Sequence, residues 1–171
     1  SYERLLTQGR VLTMYLSQSL LPLPGSMPFY YDDYVISRGW LQPPGTLLSW
    51  LLLACLLAWA WRWRIRRPLF SLGIFLFFSG HFITSNVFNL ELAFEHRNHF
   101  PLIGVVLAAA DLCMAIYQRY PLRLPIAATI LALLIGAEVS ATAIRAHTWG
   151  DPLRLAKSHA DLRPNSTRAW L

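Results

Sequence analysis

Long apolar blocks, rather than amphipathic stripes, organise this chain. Residues 46–63, 69–88, 101–117 and 124–144 are each close to continuously apolar. Each approaches the roughly 20 residues that an α-helix needs to cross a hydrocarbon core. A further segment, residues 5–23, is weaker, because Gln8, Gln18, Ser17 and Ser19 interrupt it before Pro22 and Pro24 end it. It has three options: to cross a bilayer, to lie at its interface, or to be packed among other helices. The pattern predicts an all-α, polytopic transmembrane bundle of four to five spans over residues 1–144.

The polar stretches separate these blocks. Residues 24–45 form a loop rich in Pro and Gly that carries Phe29-Tyr30-Tyr31-Asp32-Asp33-Tyr34. Arg62, Arg64, Arg66 and Arg67 crowd the turn after the second segment, and Arg119 and Arg123 border a second short turn. Residues 89–100 contain Glu95-His96-Arg97-Asn98-His99 between two apolar runs. The tail, residues 145–171, is polar and helix-prone, with apolar positions at Trp149, Leu153, Leu155, Ala160 and Leu162 and a stop at Pro164. Its pattern is that of the beginning of a tetratricopeptide (TPR) array, whose helix pairs bury their faces only by stacking on further repeats.

Composition agrees with a membrane protein. The 171 residues are 55% hydrophobic and 14% charged, where a soluble domain is nearer one quarter charged. The net charge of +6 sits mostly in short turns beside apolar blocks, the topology signal of membrane proteins, so nucleic acid is not an expected partner. By that rule the turns at 62–68 and 118–123 face the cytoplasm. Loops 24–45 and 89–100 and the tail then share the opposite, periplasmic or luminal, side. Cys55 and Cys113 both fall in apolar blocks and read as packing thiols. The chain starts at Ser1 within patterned sequence and is expected to be part of a longer protein.

The candidate chemistry is concentrated in the loops. Charged groups bordering a bilayer are costly and face a cavity, a headgroup or a substrate. In Glu95–His99, Arg97 can grip a phosphate through its planar fork, with His96 and His99 as donors and Glu95 orienting the arginine or a sugar hydroxyl. A structural Glu–Arg pair at a helix end explains the same residues equally well. A zinc site from Glu91, Glu95, His96 and His99 is a lesser alternative, and no metal is assigned. Asp32 and Asp33 read either as ligands for a divalent ion or for sugar hydroxyls beside stacking tyrosines, or as a solvated turn anchored by Tyr30, Tyr31 and Tyr34. Arg10 is placed to face the same polar cavity. Asp111 and Glu138 lie within apolar blocks, and Asp111 is expected to pair with a basic residue of a neighbouring helix, in this sequence or outside it. His81 reads as a histidine satisfied inside the bundle. No phosphate-cradling glycine loop, nucleophile elbow, paired-cysteine zinc pattern or glycine zipper is present.

The order of features resembles a known family. Glu3-Arg4-Leu5-Leu6-Thr7-Gln8-Gly9-Arg10 precedes a segment containing Tyr15 and ending at Pro22. Asp33-Tyr34 and Ser37-Arg38 follow, then the arginine-rich turn, then Phe94-Glu95-His96-Arg97-Asn98-His99-Phe100-Pro101-Leu102-Ile103-Gly104. This resembles the C-terminal membrane half of TPR-containing transmembrane glycosyltransferases of the GT-C class, bacterial relatives of the transmembrane O-mannosyltransferases that act on cadherins. The resemblance implies a membrane enzyme that moves a sugar from a polyprenyl-phosphate-linked donor to an acceptor on the periplasmic or luminal face. It implies substrate-binding roles for Glu95, His96, Arg97, Arg10, Asp33 and Tyr34, and docking of an acceptor or partner protein on the TPR tail. It places the catalytic acid in an upstream outer loop outside this sequence, so the catalytic residue here is unknown. It also leaves a divalent cation possible only in the full-length enzyme. His99 stands where the family has an aromatic residue, and no role is transferred to it. The competing reading is a non-catalytic membrane anchor that presents a TPR scaffold for envelope or pilus assembly.

Overall fold

The computed structural model describes residues 2–21, 23, 31, 34–86, 98–121 and 123–162. Every regular element among them is helical. They are α1 (Tyr2–Leu20), α2 (Gly45–Trp63), α3 (Pro68–Asn86), α4 (His99–Arg119), α5 (Leu124–Trp149) and α6 (Pro152–Leu162). Three of them, α2, α4 and α5, are long and apolar enough to cross a membrane, and α3 contributes a shorter apolar stretch, Pro68–Phe82. Their outward faces carry Leu48, Leu51, Trp61, Leu72, Ile103, Val106 and Ile116, all exposed. Faces this apolar need a nonaqueous neighbour, and the chain is an integral membrane protein by that argument.

The α2–α3–α4 bundle is antiparallel. Pro68 starts α3 one short turn after the arginines, where its missing N–H costs nothing. Near this arginine end the Ser71 hydroxyl donates to the Ala60 carbonyl at 2.7 Å. Trp59 and Trp63 pack on Phe70 with ring centroids 5.4 and 5.9 Å away. Arg64 lies over the Trp61 ring at 4.2 Å.

The α3–α4 pair is the most extensive helix contact, and glycine makes it so. A Cβ on Gly73 would collide with the Gly104 carbonyl oxygen and come within 2.7 Å of the Ala108 nitrogen. A Cβ on Gly104 would collide in turn with the Gly73 carbonyl oxygen and lie 2.9 Å from the Phe77 nitrogen. The two backbones therefore touch, as small residues permit in helix pairs that gain nothing from hydrophobic exclusion. The expectation of no glycine zipper holds along each helix but misses this cross-helix contact, because one glycine on each partner forms it.

Asp111 lies on α4 level with the arginine turn. Its carboxylate is 3.9 Å from the Arg67 guanidinium. The basic partner expected for this acid is thus a residue of this chain, at the start of the neighbouring helix.

The first segment does not run parallel to the bundle. The Leu6 carbonyl accepts from the Trp50 indole on α2 at 3.2 Å. Tyr15 stacks on His81 of α3 at 5.0 Å. Ser19 accepts from Asn98, the residue before α4, at 2.8 Å. Residues 50, 81 and 98 all lie near the end of the bundle opposite the arginines. Between Leu6 and Ser19, α1 advances about 20 Å at 1.5 Å per residue while passing α2, α3 and α4 in turn at that one end. It is a transverse helix laid across that end of the bundle, packed against α2, α3 and α4, and it is not among the helices long and apolar enough to cross a membrane. Its serines and threonines accommodate this half-apolar setting by bonding their own helix: Thr13 to the Gly9 carbonyl and Ser19 to the Tyr15 carbonyl, at 2.9 and 2.8 Å.

α5 runs to Trp149, beyond the apolar block that ends at 144, and none of its residues is buried. Gly150 ends it, and Asp151 starts α6 by accepting from the backbone N–H of Leu153 at 2.9 Å, an N-cap that also pairs with Arg154 at 3.2 Å. Arg154 further contacts His147. The tail from 163 onward lies outside the described residues.

Candidate functional site

The end of the bundle capped by α1 carries the polar chemistry. Its floor is aromatic and apolar: Val11, Leu12 and Tyr15 of α1 pack with Leu53, Phe77 and Val105. Phe77 meets His81 edge-on at 4.8 Å, so the imidazole is held between the Tyr15 face and the Phe77 ring. Asn98 also interacts with the His81 side chain. His81 is 1% exposed, inside the bundle.

Tyr31 and residues 34–44 lie along α1 as a strap, running against its direction. Gln18 donates to the Tyr31 hydroxyl at 3.1 Å. Arg10 donates to the Val35 carbonyl at 2.8 Å and to the Ser37 hydroxyl at 3.5 Å. The Ser37 N–H donates to Thr7 Oγ1 at 2.9 Å, and the Ser37 and Thr46 hydroxyls are 2.8 Å apart. Thr7, Ser37 and Thr46 are fully buried, so each polar atom has been taken from water only with a partner supplied. The strap closes on α2 where the Leu47 N–H donates to the Trp40 carbonyl at 3.0 Å.

Two of the residues selected from sequence meet here. The Arg10 guanidinium lies 5.0 Å from the centroid of the Tyr34 ring, a cation–π contact. Arg10 does not stand open to a cavity, however. At least part of its fork is committed to the strap, so its first role is to pin Val35 and Ser37 to α1. Glu95, His96, Arg97 and Asp33, with Asp32 and Glu91, lie outside the described residues. Only the last two members of the charged run are among the described residues. Asn98 sits against Ser19 and His81, and His99 opens α4. Glu138 is exposed on α5.

Sequence reasoning passed over Asn98, Ser19, Thr7 and Ser37. A signal was present for one of them, Thr7. Thr7, Val11, Tyr15 and Gln18 are buried on one face of α1 at helical spacing, and polar residues on such a face need partners from elsewhere in the chain. Among the described residues no three metal-ligating side chains converge. The arrangement therefore offers hydrogen-bond donors, one guanidinium and aromatic faces rather than a described metal centre. No protein-family model, no curated protein and no solved structure matches the chain.

Proposed function

We propose that this chain is the C-terminal membrane part of a glycosyltransferase that draws its sugar from a polyprenyl-phosphate-linked donor and transfers it on the periplasmic or luminal face. The supporting observation is that Asn98, next to Arg97 in the charged run, is fastened to the same transverse helix that holds Arg10 and Tyr34. Of the residues assigned to one polar site from sequence order, Arg10 and Tyr34 lie on this helix and its strap. Arg10 and Ser19 lie about 13 Å apart along α1 at 1.5 Å per residue, a span suited to a phosphosugar.

In this reading α2, α3, α4 and α5 cross the membrane, and α1 lies at its surface. The arginine end faces the cytoplasm by the positive-inside rule. Arg97 holds the donor phosphate, and Glu95 orients Arg97 or a sugar hydroxyl. His96, Asp33 and Tyr34 line the sugar. Negative charge grows on the phosphate as the glycosidic bond breaks, so a fixed guanidinium there stabilises the transition state more than the ground state. The base that takes the acceptor proton is upstream. α6 begins a TPR tail that docks an acceptor or partner protein.

The test is transfer from a polyprenyl-phosphate-linked sugar by the full-length protein in membranes, with Arg97→Ala and Glu95→Gln at matched expression. Loss of transfer in both variants supports the donor site. Normal turnover in Arg97→Ala removes it, and absence of transfer by the wild type from every donor favours the anchor reading.

A further inference from the structure

The strap has an outer side that the sugar-transfer reading does not use. Between Val35 and Pro44 the chain forms a tight turn, with Gly39 paired to Gln42 and the Arg38 N–H donating to the Gln42 carbonyl at 3.0 Å. This turn is held from within, through Thr7, Arg10, Thr46 and Leu47. Yet Val35, Ile36, Trp40 and Leu41 are 62%, 50%, 46% and 66% exposed. Rigid backbone bonding that turns four large apolar side chains outward is the opposite of what a water-facing loop does.

An open groove of about 590 Å³ lies in this surface. Val35, Ile36 and Leu41 supply its apolar wall, Arg38 and Gln42 its polar groups, and none of its lining residues is acidic. It adjoins the N-terminal end of α2 at Gly45, where the helix dipole adds positive potential to that of Arg38. A guanidinium at the edge of an apolar groove, beside an exposed tryptophan and at the end of a helix long and apolar enough to cross a membrane, matches a ligand that is anionic at its head and apolar below it.

We propose that the groove formed by Val35–Pro44 seats an anionic phospholipid of the surrounding leaflet, with its phosphate on Arg38 and its upper acyl chain against Val35, Ile36 and Leu41. The strap is then an interfacial anchor that sets the depth of the capped end in the bilayer. The inference stands on the strap alone and holds whether or not the chain transfers sugar.

The test is quenching of Trp40 fluorescence in lipid nanodiscs carrying the protein, with brominated phosphatidylglycerol compared with brominated phosphatidylcholine. Trp40→Phe identifies the part of the signal that belongs to Trp40. One basic side chain at a charged membrane surface is worth about a fivefold preference. The wild type is therefore expected to show roughly that preference for phosphatidylglycerol, Arg38→Gln to lose it, and Arg123→Gln to keep it. Equal quenching by both lipids in the wild type overturns the proposal, as does a preference that survives Arg38→Gln or disappears equally in Arg123→Gln. A Trp40 signal that neither lipid quenches places the strap outside the bilayer and overturns it as well.

Discussion

Asn98 donates its side-chain amide to the Ser19 hydroxyl at 2.8 Å, across 79 positions of sequence. The Ser19 hydroxyl in turn donates a hydrogen bond to the Tyr15 carbonyl, and Tyr15 stacks on His81. The residue that follows Arg97 in the charged run is thus tied to the transverse helix and, through it, to the core of α3.

Removing that tie is expected to cost stability and position together. Asn98→Ala and Ser19→Ala should each destabilise the protein by about 1–2 kcal/mol, the scale of a partly buried hydrogen bond. The double variant should cost less than the sum, because both remove the same bond. Thermal unfolding of the four proteins in detergent measures this. Strict additivity would show that the bond contributes nothing.

The backbone contact between Gly73 and Gly104 leaves no room for a methyl group. Gly104→Ala should push α3 from α4 and lower stability by roughly 1–3 kcal/mol, the usual cost of overpacking. Gly136→Ala is the control, since a Cβ there meets nothing within 4 Å on α5. Equal melting temperatures for the two variants would contradict the close approach.

Arg67 and Asp111 form an ion pair of modest exposure, 29% and 13% for the two side chains. Arg67→Gln should destabilise by about 1–3 kcal/mol, because it leaves a mostly buried carboxylate alone. Adding Asp111→Asn should restore much of the loss. A double variant no more stable than Arg67→Gln would mean that the pair is incidental.

The transverse setting of α1 makes a topological prediction. Single cysteines at Leu5 and Ser17, introduced into a protein lacking Cys55 and Cys113, should both react with a membrane-impermeant maleimide from the side that labels Gly39→Cys. A crossing helix would separate the first two. Labelling of Leu5→Cys and Ser17→Cys from opposite sides would restore the crossing option.

How much was legible beforehand differs by element. The blocks at 46–63 and 69–88 correspond closely to α2 and α3, and 101–117 extends by about a turn in total to give α4. Continuous apolarity marks a buried or lipid-facing helix without reference to its neighbours. Segment 5–23 was ambiguous for the same reason in reverse. Its mixed polarity suits any interface, and only Trp50, His81 and Asn98 decide which one it meets. The candidate site divides likewise. Arg10 and Tyr34 could be chosen by residue type, but the commitment of Arg10 to the strap carbonyl depends on a turn 25 residues away. Asn98 was hidden within a more highly charged run.

What this sequence determined by itself is its solvent and its helices. Apolar runs of membrane-crossing length, with arginines beside them, dictate α-helices facing lipid, since every backbone group must then be satisfied within its own segment. Tertiary structure alone decided that α1 lies across the bundle, that Gly73 meets Gly104, that Asp111 finds Arg67, and that the strap turns Trp40 outward. These are pairings between distant positions. Each depends on which surfaces fit closely enough to bring backbone or polar atoms into contact, and no local pattern of polarity encodes that fit.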